Sequence, residues 1–185
     1  MTRPAHILAA AALLALTAGS VQAQTAPQQM TFQGDAPAGC LMQAPLSPSA
    51  DNASVTASAP GSADIVITQL VGDDGVSEGA TVILNVPAAC NQAHTVSLIS
   101  ANGGLLNAEG APAGGPFRAL LPYSVVLSWG SGSEIYQSGD PAATISSGDA
   151  ATGSVTVTIE IPAGGAPLVA GSYSDQLVLE LAAAG

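Results

Sequence analysis

The stretch "SVTVTIEI", residues 154–161, alternates strictly between apolar and polar side chains. One face of this segment carries Val155, Val157, Ile159 and Ile161, and the other carries only serine, threonine and glutamate. Successive side chains of a β-strand point to opposite faces of its sheet, so this pattern predicts a strand that is buried on one face. Neighbouring strands and a second layer are then needed to cover that face.

Other segments on both sides of this strand are rich in Val, Ile, Leu and Thr, the residues typical of β-structure. They cover residues 63–70, 80–86, 94–100, 123–129 and 175–181, with a weaker candidate at 53–59. Between them lie turn-forming segments with Gly, Pro, Asp and Asn, at 71–79, 101–116, 138–153 and 162–172. Helical periodicity is absent after residue 23, and the short strands predict an all-β sandwich built as one domain.

The first 23 residues have the features of a secretory signal. Arg3 lies near the start, an apolar run covers residues 7–16, and "VQA" ends the segment at residues 21–23. The apolar run is shorter than the roughly 20 residues that span a bilayer. We therefore predict export through the inner membrane and cleavage before residue 24, with a retained membrane anchor as the alternative.

The composition is strongly acidic, with a net charge of −11 and 13 acidic residues against two arginines. Once residues 1–23 are removed, Arg118 is the one Lys or Arg side chain that remains. Nucleic acids and anionic membranes bind to basic surfaces, so this composition argues against both partners and against membrane insertion after cleavage. It is typical of an exported protein that resists non-specific association.

Two cysteines, Cys40 and Cys90, follow the predicted signal. An even number of cysteines in an exported chain predicts one disulfide, with two free buried thiols as the alternative. The bridge would close a loop of about 50 residues, for which chain entropy predicts a stabilisation of roughly 4 kcal/mol.

Reactive side chains are scarce. His94 is the one histidine outside the signal, no GxSxG segment is present, and no cluster of ligands has the spacing of a zinc site. We therefore predict that the chain is not an enzyme and uses no metal or cofactor. The segment "GDDGVSEG", residues 72–79, fits a hairpin loop better than a weak calcium site. Tyr123 and Trp129 share one face of a strand, where core packing is favoured over an exposed sugar-binding platform.

Three segments resemble, in their order along the chain, the spore coat protein U domain: "CNQAHTVSLISANGG" (90–104), "LPYSVVLSWGSG" (121–132) and "AGSYSDQLVLEL" (170–181). This family includes pilin subunits of the archaic chaperone–usher pathway. The opening "MTFQGDAPAGC" (30–40) is also similar to the start of classical chaperone–usher pilins. The resemblance covers most of the chain that follows the signal.

The resemblance implies an immunoglobulin-like sandwich that lacks its final strand. The terminal strand, residues 173–181, would then border an open groove, with Tyr173, Leu177, Leu179 and Leu181 at the edge and in contact with a chaperone. Such an open edge is an aggregation hazard. The family's periplasmic chaperone lends a strand to this groove, and the N-terminal extension of the next subunit replaces the chaperone during assembly at an outer-membrane usher.

Residues 24–36 are the candidate donor strand, ahead of a pilin-like domain at residues 37–185. Within this segment Met30, Phe32, Gly34 and Ala36 fall on one face of an extended chain, where Met30 and Phe32 would fill apolar pockets. The alternative is that these residues form the domain's own first strand.

The expected function is a structural subunit of an extracellular fibre or surface coat, assembled by donor-strand exchange with copies of itself or related subunits. Its location would be the periplasm and then the cell surface. The alternative is a secreted monomeric adhesin with a complete sandwich and a ligand site near Tyr123, Trp129 or Tyr136. A periplasmic enzyme is the least favoured hypothesis, because its site cannot be assembled from the available side chains.

Overall fold

The computed structural model describes residues 30–59, 62–110 and 115–184. The chain divides into two units, Met1–Asp35 and Ala36–Gly185, and every strand of the described part belongs to the second unit. The predicted signal at residues 1–23 and the first part of the predicted donor, residues 24–29, lie outside the described residues. In the described ranges the fold is all-β, as predicted, and no helix is long and apolar enough to cross a bilayer.

Antiparallel pairing joins the strands into four sheets, three of which form two layers. The strands are β1 Cys40–Met42, β2 Leu46–Asp51, β3 Ala53–Ala59, β4 Ser62–Ile67, β5 Ser77–Cys90, β6 His94–Ser100, β7 Leu105–Leu106, β8 Leu120–Leu121, β9 Ser124–Trp129, β10 Gly132–Gln137, β11 Ala143–Ser147, β12 Ala151–Gly164 and β13 Leu177–Ala183.

The first layer is a six-stranded sheet built around β5 and β12, the two longest strands. Its order is β1–β5–β12–β9–β10, and β2 also pairs with β5. The register sets Val155 opposite Val86 and Val157 opposite Leu84. All four side chains are buried, so the apolar face of the alternating stretch in β12 continues across β5 into one core.

The second layer consists of a three-stranded sheet, β11–β6–β13, and the hairpin β3–β4. Leu98 of β6 lies opposite Ala143 of β11 and Leu179 of β13, and its side chain is fully buried. Val55 and Ile65 of the hairpin pack against the same core. The core therefore lies between two layers, which is the arrangement of a β-sandwich.

Asn52 marks the point where the chain passes from β2 in the first layer to β3 in the second. Its φ angle of 52° lies in the left-handed region, which asparagine tolerates better than most residues. Its Nδ2 donates to the carbonyl oxygens of Gln69 (2.7 Å) and Gly79 (2.6 Å), and its Oδ1 accepts from the Gln69 N–H (3.0 Å). These bonds hold the base of the β3–β4 hairpin against the start of β5.

Two predicted strands, 53–59 and 94–100, coincide with β3 and β6, and the observed β5 and β12 extend beyond the predicted bounds. The prediction for residues 138–153 was wrong, because this supposed connection contains β11 and the first residues of β12. Ala143 and Ile145 of β11 are buried. Thr144, which lies between them, and Ser146, which follows them, are exposed. Two apolar side chains in a Ser- and Gly-rich run give a weak local signal, and pairing with β6 stabilises the strand. The strands β1, β2, β7, β8 and β10 also had no predicted counterpart, and β7 lies within the predicted turn segment 101–116.

Candidate functional site

Among the described residues, the last strand, β13, has a paired neighbour on one side only. It pairs with β6 along its whole length, from Leu177 opposite Ser100 to Ala183 opposite His94. Across a groove from its other edge lies β4, and no pairing joins β4 to β13 in the ranges that the structure describes. Paired strands lie about 4.8 Å apart, so a groove that accepts one further strand needs walls about twice that distance apart.

The groove between β4 and β13 has a volume of about 760 Å³. Its walls are residues 62–67 of β4 and residues 175–179, at and just before the start of β13, and Met42 and Pro45 also line it. The floor is the apolar inner face of the first layer, formed by Val82, Leu84, Val86, Val157, Ile159 and Ile161. None of these floor side chains is more than 9% exposed, so the groove is a deep slot with little of its floor open to water.

Leu177 and Leu179 are the two predicted edge residues that line the groove, and both are half-buried. Val178 lies between them and is 42% exposed, and Val66 on the opposite wall is 61% exposed. Leu181 has the same half-buried orientation and packs on the core, but it lies beyond the groove lining. The last strand therefore presents one leucine face to the core and an outward face that contains valine.

Tyr173, the remaining predicted edge residue, lies ahead of β13 and is not part of the groove wall. Its hydroxyl group lies 2.8 Å from the Val169 carbonyl oxygen and 3.0 Å from that of Arg118, so it fixes the preceding loop. Ser174 then makes one isolated bridge, and the strand begins at Leu177. The predicted start at residue 173 or 175 was therefore early.

Asp175 explains the late start of the strand. Its Oδ1 accepts the backbone N–H groups of Asn102 (3.0 Å) and Gln176 (2.8 Å), and its Oδ2 accepts the hydroxyl groups of Tyr123 (2.7 Å) and Ser100 (2.5 Å). Burial raises the pKa of Tyr123 well above its usual range, and the hydrogen bond to Asp175 raises it further. The phenol is therefore a neutral donor that ties the start of β13 to the first layer. Asp175 and Tyr123 both line the groove, and form its polar end.

The sequence did not predict the second wall of the groove or its polar end. Ala63, Ile65 and Ile67 alternate with exposed residues in β4, which predicts a strand but not the strand that it faces. In the sequence, Asp175 looks like an ordinary turn residue, because the hydroxyl groups that donate to it belong to Tyr123 and Ser100, which lie 52 and 75 residues away along the chain. A local pattern carries no information about either contact.

Tyr123, Trp129 and Tyr136 are 5%, 4% and 1% exposed. Core packing of Tyr123 and Trp129 is therefore confirmed. None of the three rings presents a face on which a sugar could stack.

Cys40 and Cys90 form the predicted disulfide, with an S–S distance of 2.02 Å. They lie directly opposite each other in β1 and β5. Just before β1, the Gly39 N–H donates to Asn91 Oδ1 (2.8 Å), and Asn91 Nδ2 donates to the Pro37 carbonyl oxygen (2.7 Å). The disulfide and these bonds anchor the first residues of the sandwich to the end of β5.

Residues 30–39 belong to no strand, and the first strand of the sandwich starts at Cys40. Met30 is 75% exposed and Phe32 is 90% exposed. A Cβ atom added at Gly34 would meet no atom within 4 Å, and Ala36 is exposed. The donor role of these four residues stays a prediction, and so does the alternative that they form the domain's own first strand.

Residues 72–76 of the acidic segment form a loop, as predicted, whereas residues 77–79 already belong to β5. Gly72 N–H donates to the Val76 carbonyl oxygen (3.0 Å), and Asp74 Oδ1 accepts the Val76 N–H (3.1 Å). Asp74 therefore serves the turn itself. In residues 30–59, 62–110 and 115–184, no group of three or more His, Cys, Asp and Glu side chains is placed to hold a metal ion.

The strongest site in the described chain is thus the groove beside β13, which offers an unpaired strand edge and an apolar interior rather than reactive groups. Compared with known proteins, the chain matches no protein-family model, no curated protein and no solved structure.

Proposed function

We propose that this chain is a structural subunit of an extracellular fibre or surface coat, and that its copies join by strand addition. The observation that carries the proposal is an edge of β13 that no described strand pairs with, beside an apolar groove. A free strand edge offers a row of backbone N–H and C=O groups with which a strand from another molecule can pair.

The chemistry of the groove suits a polypeptide strand better than a small polar ligand. The floor consists of aliphatic side chains, and the polar groups of Asp175 and Tyr123 at one end are already bonded to each other. A strand in the groove would pair with β13 through its backbone and place every second side chain against the floor. It would also bridge the three-stranded sheet to the β3–β4 hairpin.

The occupant is the segment of residues 24–36 from a neighbouring copy. Met30 and Phe32 are large, apolar and exposed, and they alternate with polar residues. Complete burial of such a side chain contributes about 1.5–3 kcal/mol. Asp35 is the one charged residue of the segment, and it lies on the opposite face of an extended chain from Met30 and Phe32.

In this proposal the sandwich is an immunoglobulin-like domain of the spore coat protein U type, without its final strand. Residues 1–23 direct export and are removed. A periplasmic chaperone fills the groove before assembly, an outer-membrane usher exchanges it for the neighbour's residues 24–36, and the subunit ends at the cell surface. The protein has no catalytic role and binds neither nucleic acid nor membrane, in keeping with its net charge of −11.

A deletion and a matched pair of double variants test the donor assignment. The full chain is exported to a bacterial periplasm alongside a chain that lacks residues 24–36, a Met30→Ser/Phe32→Ser variant, and a Thr31→Ser/Gln33→Ser control that alters the other face. Size-exclusion chromatography with light scattering and unheated SDS gels then report assembly. The wild type and the control should form SDS-resistant ladders, and the deletion and the Met30/Phe32 variant should not.

Ladders from the deleted chain would show that residues 24–36 are not the donor.

A second candidate function is supported by the low exposure of the groove floor, since a core that is already covered favours a complete monomeric sandwich. Such a protein would be a secreted binding module. In that case the wild type and the deleted chain both run as stable monomers, and the fibre proposal fails.

A further inference from the structure

The loop between β6 and β7, residues 101–104, is held against the residues that lead into β13. Asn102 N–H donates to Asp175 Oδ1 (3.0 Å), and Asn102 Nδ2 donates to the Ser174 carbonyl oxygen (3.3 Å). We call residues 101–104 the corner loop, because they support the start of β13 at the polar end of the groove. Asn102 is nevertheless exposed, so water reaches its side chain.

Asn102 is followed by Gly103, and the chain contains no other Asn–Gly pair. Gly103 has a φ angle of 73°, which residues with a Cβ atom rarely adopt, so the loop conformation requires glycine here. The same absence of a side chain leaves the Gly103 nitrogen open to react with the asparagine that precedes it. The Asn–Gly pair therefore serves the geometry of the loop and is also chemically reactive.

The reaction of such a pair is deamidation, and it needs only water. The Gly103 nitrogen forms a bond to Cγ of Asn102, the bond from Cγ to Nδ2 breaks, and the proton of the attacking nitrogen leaves with Nδ2 as ammonia. Water then opens the cyclic succinimide at either of its carbonyl carbons. The product is aspartate or isoaspartate at position 102, so ammonia is lost and water is taken up.

The folded corner loop restrains both reacting groups. Gly103 N–H donates to Ser100 Oγ (2.9 Å), and Ser100 is itself buried and bonded to Asp175 Oδ2. The Asn102 amide is held by Ser174, so the Gly103 nitrogen reaches Cγ only after these bonds break. A hydrogen bond of this kind lowers the population of the open form by roughly threefold to tenfold. Deamidation in the folded chain therefore depends on local opening of the loop.

Deamidation removes contacts that the corner loop needs in order to close. The new carboxylate has no N–H to donate to the Ser174 carbonyl oxygen, and it lies close to the carboxylate of Asp175, which repels it. Arg118 is the one Lys or Arg among the described residues, and its side chain donates to the Gly164 carbonyl oxygen rather than to this loop. In isoaspartate the backbone also gains a methylene group, which displaces the following N–H group from its acceptor.

We propose that Asn102–Gly103 is a self-modifying site guarded by the corner loop: opening of the loop permits deamidation, and the carboxylate that forms hinders closure and weakens the start of β13. The modification is irreversible, so altered chains accumulate with the age of the protein. This inference concerns the sandwich itself, and it holds for a fibre subunit and for a monomer alike.

The rate of the reaction tests the guard. Wild-type protein and a Ser100→Ala variant are incubated in mildly alkaline buffer, wild-type protein is also incubated in denaturing urea, and peptide mass spectrometry measures conversion at Asn102. Asn85 and Asn107, which precede valine and alanine, are internal controls. Conversion should be at least about tenfold slower in the folded wild type than in urea, and about threefold faster in the folded variant than in the folded wild type.

Equal rates in all three samples would show that the corner loop does not guard the site. Conversion at Asn102 in urea that is no faster than at Asn85 and Asn107 would show that the pair is not reactive. The comparison of folded and unfolded wild type needs no substitution, so it stands even where the Ser100→Ala variant fails to fold.

Urea denaturation tests the consequence for the fold. Asn102→Ala removes the donor alone, whereas Asn102→Asp reproduces one product and adds its charge. Relative to the wild type, the unfolding constant should rise about threefold for the first variant and about tenfold for the second. Added salt should reduce the difference between the two variants, because it screens the repulsion from Asp175.

Equal unfolding constants for the wild type and Asn102→Asp would overturn the proposal. Aged wild-type protein, separated from the unmodified form by anion-exchange chromatography, carries the modification without any substitution. It should unfold at a lower urea concentration than the unmodified form, and an unchanged midpoint would refute the effect on β13.

Discussion

Tyr123 and Asp175 show how one side-chain hydrogen bond joins two strands from different layers. Tyr123 directly precedes β9, and Asp175 precedes β13. A Tyr123→Phe substitution removes the hydroxyl group but leaves Asp175 Oδ2 bonded to Ser100. We expect the free energy of unfolding at pH 7 to fall by about 1–2 kcal/mol, which urea denaturation measures. A loss below about 0.3 kcal/mol would mean that this bond does not hold the start of β13.

The same tyrosine gives the protein a defined response to alkali. Burial and the bond to Asp175 raise the pKa of Tyr123 above its usual value, so the folded state keeps a proton that the unfolded chain releases near pH 10. Unfolding then releases a proton, and stability that is present below pH 10 is lost as the pH rises above it. The Tyr123→Phe protein should lose less stability than the wild type between pH 9 and pH 11. Tyr136 and Tyr173 are present in both proteins and supply the common background.

Strand β13 has two faces with different environments, and adjacent substitutions separate them. Leu179 is half-buried, lies opposite Leu98 and lines the groove, whereas Val178 is 42% exposed. Leu179→Ala should lower the unfolding free energy of the monomer by about 1–3 kcal/mol, below the full cost of a buried leucine because the groove leaves its side chain partly uncovered. Val178→Ala should cost less than about 0.5 kcal/mol. Equal costs in urea denaturation would contradict the described orientation of the strand.

Strand β11 shows the limit of a local pattern at the level of single elements. Ala143 and Ile145 are its two inward side chains, and the strand exists because five residues pair with β6. By contrast, the four inward residues of the stretch 154–161 identify β12 before any pairing is known. Period-two alternation predicts long half-buried strands well and short edge strands poorly, because the short strands depend on their neighbours.

In the molecule as a whole, the disulfide constrains the segment that carries one groove wall. Cys40 and Cys90 are 50 residues apart, and the loop between them contains β2 and the β3–β4 hairpin as well as β5. A Cys40→Ala/Cys90→Ala double variant should lose about 4 kcal/mol of stability, measured by urea denaturation. Limited proteolysis should then cut first within residues 53–67. A loss below about 1 kcal/mol would show that the unfolded chain is not restrained by this bridge.

The arrangement of layers and groove joins parts of the chain that are far apart. The groove walls come from residues 62–67 and 175–179, the Tyr123–Asp175 bond spans 52 residues, and the bond from Trp129 to His94 spans 35. Each contact also determines a state of the molecule: an unpaired edge, a neutral phenol or a buried bond between the two layers. None of these states belongs to a residue by itself.

Alternation, turn residues and two cysteines were enough to predict an all-β sandwich with one disulfide, because strand periodicity and bond chemistry are properties of short segments. The resemblance added an edge at residues 173–181, of which Leu177 and Leu179 line the groove. Folding alone decides which strands face each other. It makes β4 the opposite wall of the groove and encloses His94 beside Trp129. These features come from the packing of distant segments around one core, where the best partner for each strand depends on all the others.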